Sequence, residues 1–504
     1  MFGVVNVVTK DGADVNGLIE KTEIGSNETI HQNVLWGEQF KDGWDVIADV
    51  DGFSSAGNQD IIYDGITSAD ENFGHIRSSD DQYAYNGFLK VKNGPFTFEV
   101  DSSQRMKDDS AATYLTSFFN PGYLQEQQTN ATLRLDHDFS NGVELHAMVY
   151  ETHYASRLSS PYDTTQVAIP YTYYTNANDD FLGEQFHLGW QINSKLHLLA
   201  GADATEAIST RQDDSNTLSG AVLNVPASYS GYGLFAEGTD QVTSWLSFTA
   251  GGRFDEVQRV GTHLSPRLAA ILTPTRQDTL KALYGSAFRS PTLSDLLYQT
   301  PPPSGVIANP RLKPETIDTY ELAWERAYDN GWKSSVNTFL WNMDNQITTV
   351  SLADGSTQQR NVSGLTTEGI ELEAGKTWDS GGSFRAYATY DRAFQGGSTL
   401  VHSPSWITGA AVAIPILRSQ TFLTIEPQVV GQQKNDLGEY TPPTFLTNIV
   451  FTSRDFYKGW TFQAGVYNLF GNFARYPREG PFNEVETSIN GPVPEALVSL
   501  SCRF

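Results

Sequence analysis

Cysteine is almost missing from this chain: Cys502 is the only one in 504 residues, and methionine occurs four times. One thiol permits no intrachain disulfide and no thiolate metal cluster. Long apolar runs are missing too. A membrane helix needs about 18 consecutive apolar residues. The longest stretch here, Ile407 to Leu417, is interrupted by Thr408, Gly409 and Pro415, which excludes a helical membrane protein. Basic residues are scarce. The 33 Lys and Arg face 59 Asp and Glu, a formal charge of −26 that argues against nucleic acid as a partner. The nine histidines are scattered, with no pair at metal-ligand spacing on one helix or strand. No metal site and no cofactor is therefore expected. A Gly-x-Ser-x-Gly elbow, a His-Glu-x-x-His pair and a phosphate loop are all lacking, so no catalytic residue is assigned and no enzyme is expected. The opening "MFGVVNVVTKDG" has no basic region before its apolar stretch and no small-residue cleavage site after it, so it is not a secretory signal. It reads as a strand, and a strand this short needs partners.

Helical periodicity is nearly absent as well. Segments of about ten residues with period-2 alternation recur instead, each bounded by turn residues. In "NATLRLDHDFSNGVELHAMVY", Leu133, Leu135 and Phe139 alternate with Thr132, Arg134, Asp136 and Asp138. After Ser140-Asn141-Gly142, Val143, Leu145, Ala147 and Val149 alternate with Glu144, His146 and Met148. Asn-Gly suits the positive φ that tight hairpins demand.

Ten such short turns can be read from Lys41-Asp42-Gly43 to Arg454–Gly459, among them Arg418-Ser419. Longer polar connections alternate with them, for example Gly52 to Gln82, His153 to Phe181, Arg211 to Ser228 and Ser290 to Lys313. Alternating short and long connections describe an all-β, antiparallel up-and-down barrel of the outer-membrane kind, with about 22 strands and eleven long loops. Trp44, Trp332 and Trp460 each follow the Gly of a short turn, which suits an aromatic girdle at one membrane interface. The last strand, "EALVSLSCRF", puts Val498, Leu500, Cys502 and Phe504 on one face and Ser499, Ser501 and Arg503 on the other. A charge facing lipid at mid-bilayer costs about 2–4 kcal/mol, so Arg503 belongs to the lumen or the rim.

The stretches "LSPRLAAILTPTRQDTLKALYGSAFRSPTLSDLLY" and "ANPRLKPETIDTYELAWE" resemble the central part of TonB-dependent outer-membrane receptors. So do "YGLFAEGTDQVTSWLSFTAGGRFDE", "GLTTEGIELEAG" and "YNLFGN", in the expected order over most of residues 230–504. A terminal Phe is the family's usual end, and the resemblance makes Phe504 an assembly signal for the barrel-assembly machinery. It also implies that Phe2 to Lys10 is the last strand of a plug. Residues 1–12 then read as its remnant and residues 13–504 as the barrel. On this reading the chain is N-terminally truncated, and the signal peptide, the TonB coupling box and most of the plug lie outside it. The short turns become periplasmic and the long loops extracellular. The expected partners are outer-membrane lipid, the TonB energy-coupling protein and a small-molecule metal chelate. The expected state is a monomer in a Gram-negative outer membrane.

Uptake of a ferric siderophore or related chelate is therefore the expected function. A passive pore, a barrel fragment without function and a barrel enzyme are the alternatives. The loop Ser290 to Lys313 is the candidate ligand loop. It offers Tyr298, Asn309 and Arg311 beside Pro301-Pro302-Pro303, and aromatic and Arg groups at a barrel mouth suit a bulky anionic chelate. Asp80-Asp81, Asp108-Asp109, Asp179-Asp180 and Asp213-Asp214 are read into long loops as solvated charge, since no single loop has full cation-ligand spacing. Glu321, Glu325, Glu371 and Glu373 face the lumen, with Arg253, Arg289 and Arg385 as expected ion-pair partners there.

Overall fold

A segment with one face toward lipid must pair every backbone N–H and C=O within the protein, and among β structures only a closed sheet does so. The protein, a computed structural model, meets this demand with a closed antiparallel barrel of 22 strands. The structure describes residues 7–62, 68–109, 116–164, 167–300, 305–416, 420–471, 475–477, 488–491 and 493–504. Phe2 to Asn6, Pro301 to Pro303 and Arg418-Ser419 lie outside the described residues.

The wall begins with β1 (Gly17–Gly25), β2 (Ile30–Gln39), β3 (Trp44–Ser55), β4 (Gln82–Asn93) and β5 (Phe96–Asp109). It rises through β6 (Gly122–Asp138), β7 (Val143–Tyr162), β8 (Tyr171–Gln191) and β9 (Leu196–Asn216). Then follow β10 (Ser230–Thr243), β11 (Leu246–Val257), β12 (Gly261–Leu272), β13 (Asp278–Arg289), β14 (Glu315–Ala327) and β15 (Trp332–Asp344). The last are β16 (Leu365–Thr377), β17 (Ser383–Gln395), β18 (Trp406–Pro415), β19 (Thr421–Val430), β20 (Thr444–Tyr457), β21 (Trp460–Tyr467) and β22 (Glu495–Arg503). The seam closes where β1 pairs with β22, Ile19 opposite Arg503 and Gly25 opposite Leu497. The Phe504 amide donates to the Leu18 carbonyl at 2.8 Å, so the terminal residue is part of the seam.

The nine short turns among the described residues fall on one rim, as the turn residues imply. The other rim differs from expectation in two places. Residues 26–29 and 258–260 are tight connections, not long loops. Asn27 and Glu28 at φ 57° and 54°, and Arg259 at 69°, take up the left-handed conformation there without an Asn-Gly pair. The stretches His153 to Phe181 and Arg211 to Ser228 are also mostly strand, because β7 to β9 run 20, 21 and 21 residues. Asp108-Asp109, Asp179-Asp180 and Asp213-Asp214 therefore stand on strands. Only Asp80-Asp81 stands in a loop.

Outward residues carry the greasy side. Leu264 and Leu322 are each 63% exposed, and Phe186, Leu188, Leu234 and Leu372 are exposed beside them. A soluble protein rarely shows such a continuous apolar surface, whereas lipid covers it. Inward faces carry charge and amides, exemplified by Asn33 donating to Asp49 at 2.8 Å and Asn130 to Asp101 at 2.7 Å. Trp44, Trp332 and Trp460 are the first residues of β3, β15 and β21. Exposed Phe96, Phe139, Trp190, Trp245 and Trp378 join them at the short-turn rim. No described helix is long and apolar enough to cross a membrane, which has no bearing on strands.

Near the same rim, the N-terminal segment lies against the inner wall. Helix α1 (Gly12–Val15) offers the Gly12 and Ala13 amides to the Asp45 carboxylate. Asp11 pairs with Lys90 at 2.7 Å and Lys92 at 3.2 Å, and Arg503 donates to the Val15 carbonyl at 2.6 Å. Beneath the two amides Asp45 is 5% exposed.

Candidate ligand site at the barrel mouth

At the open rim the tall strands β8 and β9 face the connection between β13 and β14. A β-bulge decides which of their side chains turn inward. Asp180 pairs with Ser209 and Phe181 with Ala207, so Ile208 is an extra residue on β9. Side chains alternate strictly along a strand, so one added residue exchanges the two faces above it. Below the bulge Asp203 points into the barrel; above it Thr210, Gln212 and Asp214 do.

Asp214 is fully buried. Its Oδ2 accepts two hydroxyls, from Tyr173 of β8 and from Tyr298, each at 2.9 Å. Its Oδ1 is buried with no hydrogen-bond partner. Burial, with Asp214 beside it, pushes the Tyr173 hydroxyl well above the ordinary phenol range. Tyr298 follows a short helix, α2 (Leu293–Leu297), within the connection expected as a loop. The helix has a capping box: the Asp295 amide donates to Thr292 Oγ1 at 3.0 Å, and the Thr292 amide donates to Asp295 Oδ2 at 2.9 Å. "TLSD" carries that signal in four residues. Tyr298 thus ties the β13–β14 connection to the top of β9.

Beneath α2 lies a cavity of about 440 Å³. Ala177, Asp179 and Phe181 of β8, Thr210 and Gln212 of β9, Tyr229, and Ser290, Thr292, Ser294 and Tyr298 line it. The size suits a small organic ligand. Its chemistry is hydroxyl-rich, with Asp179 as its carboxylate and Arg211 as its basic residue. Burial raises the Asp179 carboxyl, the Arg211 backbone amide partly opposes this, and the Asp180 charge adds to it. Burial also raises the Tyr229 hydroxyl, with Asp255 adding to the effect. Outward His153 and Asp180 pair at 2.7 Å at this level, which puts Asp179 above the lipid band.

The sequence-derived candidates separate here. Tyr298 lines the cavity, whereas Asn309 and Arg311 are not among its lining residues. Asn309 Nδ2 donates to the Gln359 carbonyl at 2.8 Å, and Asn361 exchanges hydrogen bonds with the Lys313 main chain at 2.9 Å. Val306–Ile307 runs parallel to Thr357–Val362, so the Asn-Pro-Arg-Leu-Lys-Pro stretch clips two outer connections together. The Arg311 side chain is exposed.

The lumen charges pair differently from expectation. Arg253 binds Asp203 at 2.9 Å and Asp255 at 2.8 Å. It lies across Gly233, where any Cβ would strike its guanidinium. Arg289 stands at the mouth, not deep in the lumen, and pairs with Glu315 at 2.5 Å and Asp295 at 3.6 Å. Of the expected pairs only Arg385 with Glu373 forms, through two hydrogen bonds at 2.8 and 3.1 Å. Glu325 takes Lys281 at 2.5 Å, and Glu371 accepts from Asn337 at 3.2 Å. Glu321 lies opposite Phe339 on β15, on the face away from Leu322.

A closed barrel of this strand number with a ligand-sized cavity at its loop-bearing mouth defines an outer-membrane receptor barrel. Residues 63–469 match the family model described as "TonB dependent receptor-like, beta-barrel", and the chain belongs to that family. Among curated proteins it is similar to the iron-regulated outer membrane virulence protein of Vibrio cholerae serotype O1. The match is 24% identical over 276 residues in one strain, covering 49% of this chain and 41% of that protein. In another strain it is 29% identical over 120 residues, covering 23% and 18%. The matched stretch is thus less than half of either curated relative. Among solved structures, the ferric enterobactin receptor PfeA of Pseudomonas aeruginosa aligns with a TM-score of 0.74 at 17% identity, over 97% of this chain and 80% of that one. The copper transporter OprC aligns at 0.76 and 14%, over 97% and 80%. The FrpB iron transporter of Neisseria meningitidis aligns at 0.73 and 13%, over 98% and 83%. These likenesses speak for the fold. Family and fold are those of receptors and transporters of the outer membrane.

Proposed function

We propose that the chain is the barrel of a TonB-coupled receptor that takes up a neutral or positively charged ferric chelate. The observation that carries the charge assignment is the mouth cavity, where Asp179 stands among the hydroxyls of Thr210, Tyr229, Ser290, Thr292, Ser294 and Tyr298, with the buried Asp214 behind Tyr298 and Arg211 the one basic residue of the lining. A polyanionic chelate would meet like charge there, whereas a cationic or neutral one with carbonyl and hydroxamate oxygens accepts from Ser, Thr and Tyr hydroxyls. The iron-regulated relative and the iron-transporter folds support the metal-chelate class. Residues 1–12 read as the closing strand of a plug and 13–504 as the barrel, with the TonB protein as the energy-coupling partner. Phe504 at the seam reads as the element recognised by the barrel-assembly machinery, and the receptor acts as a monomer. No residue is assigned a catalytic role.

Binding of ferric hydroxamate and ferric catecholate chelates to the chain in nanodiscs, followed by tryptophan quenching, tests the proposal. Saturable binding of the hydroxamate class with little binding of the catecholate class is expected. The reverse preference overturns the charge assignment.

A further inference from the structure

Far below the mouth, the barrel wall brings together histidines that the sequence keeps apart. His146 of β7 and His187 of β8 are directly paired across the strands, and both face the lumen. Their rings stack with centroids 4.4 Å apart and planes 18° from parallel. His146 is in turn paired with Asp136 of β6. Its Nδ1 binds Asp136 Oδ1, and Arg134 Nε holds the other carboxylate oxygen at 2.8 Å. An ionised carboxylate only accepts, so Nδ1 carries the proton and Nε2 keeps its lone pair. That is the arrangement in which a carboxylate orients a metal-binding imidazole. Among the described residues the His187 ring has no hydrogen-bond partner, and its ring torsion is broad.

One step toward the short-turn rim, Gly189 leaves a gap. A Cβ there would lie 3.1 Å from Glu144 Oε2 and 3.2 Å from His197 Nε2. Gly201, on the other side of His187, likewise has no room for a side chain against His187 and Phe235. The glycines thus keep this patch of wall open around three imidazoles.

We propose that His146 and His187 form a two-imidazole station for a divalent transition-metal ion on the lumen wall, with Asp136 as the positioning residue. Imidazole nitrogens suit Cu²⁺, Ni²⁺ and Zn²⁺, at bonds of about 2.0–2.1 Å for zinc. Among the described residues no group of three or more His, Cys, Asp or Glu side chains is already gathered for a metal. Two nitrogens from the wall and water in the remaining positions make a site of modest affinity, suited to an ion in passage. The station is independent of the mouth cavity and of the ligand proposed for it.

The test is Cu²⁺ titration of the chain in nanodiscs, with calorimetry for affinity and electron paramagnetic resonance for the number of bound nitrogens. Two histidine nitrogens are expected. Near-parallel rings aim their nitrogens along separate planes, so His187 ligates by turning its ring out of the stack; His187→Phe fills the same space and removes that ligand, so affinity falls at least about tenfold and one nitrogen signal is lost. Asp136→Asn leaves both nitrogens but weakens binding by about 10- to 100-fold. His153→Phe, at the outer rim, changes nothing. Heat-modifiable gel mobility verifies that each variant is a folded barrel. Unchanged affinity and nitrogen count in folded His187→Phe, or loss of the signal in His153→Phe, overturns the proposal.

Discussion

At the scale of single residues, the two faces of a strand carry opposite costs. Leu322 faces lipid and Glu321 the lumen, one position apart. Leu322→Arg is expected to destabilise the barrel by about 2–4 kcal/mol, while Glu321→Ala costs far less. Urea titration in lipid vesicles, followed by tryptophan emission, measures the difference. Equal costs would mean the wall is turned the other way. Tyr298 offers a second residue-level test. Its hydroxyl donates to a fully buried carboxylate, and a hydrogen bond to a charged group contributes about 1.5–3 kcal/mol. Tyr298→Phe is expected to speed amide exchange in residues 290–300 by about tenfold or more. Unchanged exchange would show that the tie to Asp214 does not hold α2.

At the scale of elements, the decisive feature is the extra residue on β9. Removing Ile208 restores strict alternation and keeps Thr210, Gln212 and Asp214 inward, because Ser209 stays opposite Asp180 and Thr210 opposite Asp179. That deletion should therefore leave both barrel assembly and ligand binding at the mouth in place, checked by gel mobility and quenching; loss of binding in a folded barrel would show that the bulge itself shapes the cavity. The β13–β14 connection has its own switch. Burial raises the Glu315 carboxyl, but the Arg289 guanidinium and the Ile347 amide outweigh this and leave it lowered. A lowered carboxyl stabilises its contacts above its ordinary value of 4.5, and that stabilisation is lost as pH falls through the lowered value. Amide exchange of residues 290–300 and 345–351 should therefore quicken as the pH falls well below the ordinary value of 4.5, once corrected for the intrinsic rate. Exchange that is insensitive to acid would remove Glu315 from that role.

Much of the element scale was legible beforehand. Period-2 alternation marked the strands, and Gly, Asn and Asp marked the short turns, because both are local properties of the chain. The aromatic girdle was legible only where a Trp follows a turn glycine. Trp190, Trp245 and Trp378 sit beside turns without that mark. The tight connections at Asn27-Glu28 and Arg259 were missed because left-handed residues other than Gly carry little signal. The meeting of Tyr173, Asp214 and Tyr298, and of His146 with His187, was not legible at all. Each depends on cross-strand register, and the first also on a bulge, neither of which leaves a mark within any one segment.

At the scale of the whole molecule, the formal charge of −26 is partly carried on the inner wall by Asp49, Asp51, Asp101, Asp203 and Asp255. Low-dielectric walls focus such charge on the space between them. The chain reconstituted in planar bilayers is expected to pass cations in preference to anions under a KCl gradient, and the sign of the reversal potential reads this directly. Anion preference would contradict the inward placement of these carboxylates.

The barrel is also not level. Strands β8 and β9 span 21 residues each and β1 spans nine, a difference of roughly 30 Å at the rise of a tilted strand. One side of the mouth is therefore a parapet and the other a low sill, where residues 26–29 turn straight back. A solute drifting in from the sill side meets the cavity under α2 head-on, with the parapet as a backstop. Among the wall strands β8 and β9 are the longest, so their crest is the part of the wall that overlooks the sill from the greatest height.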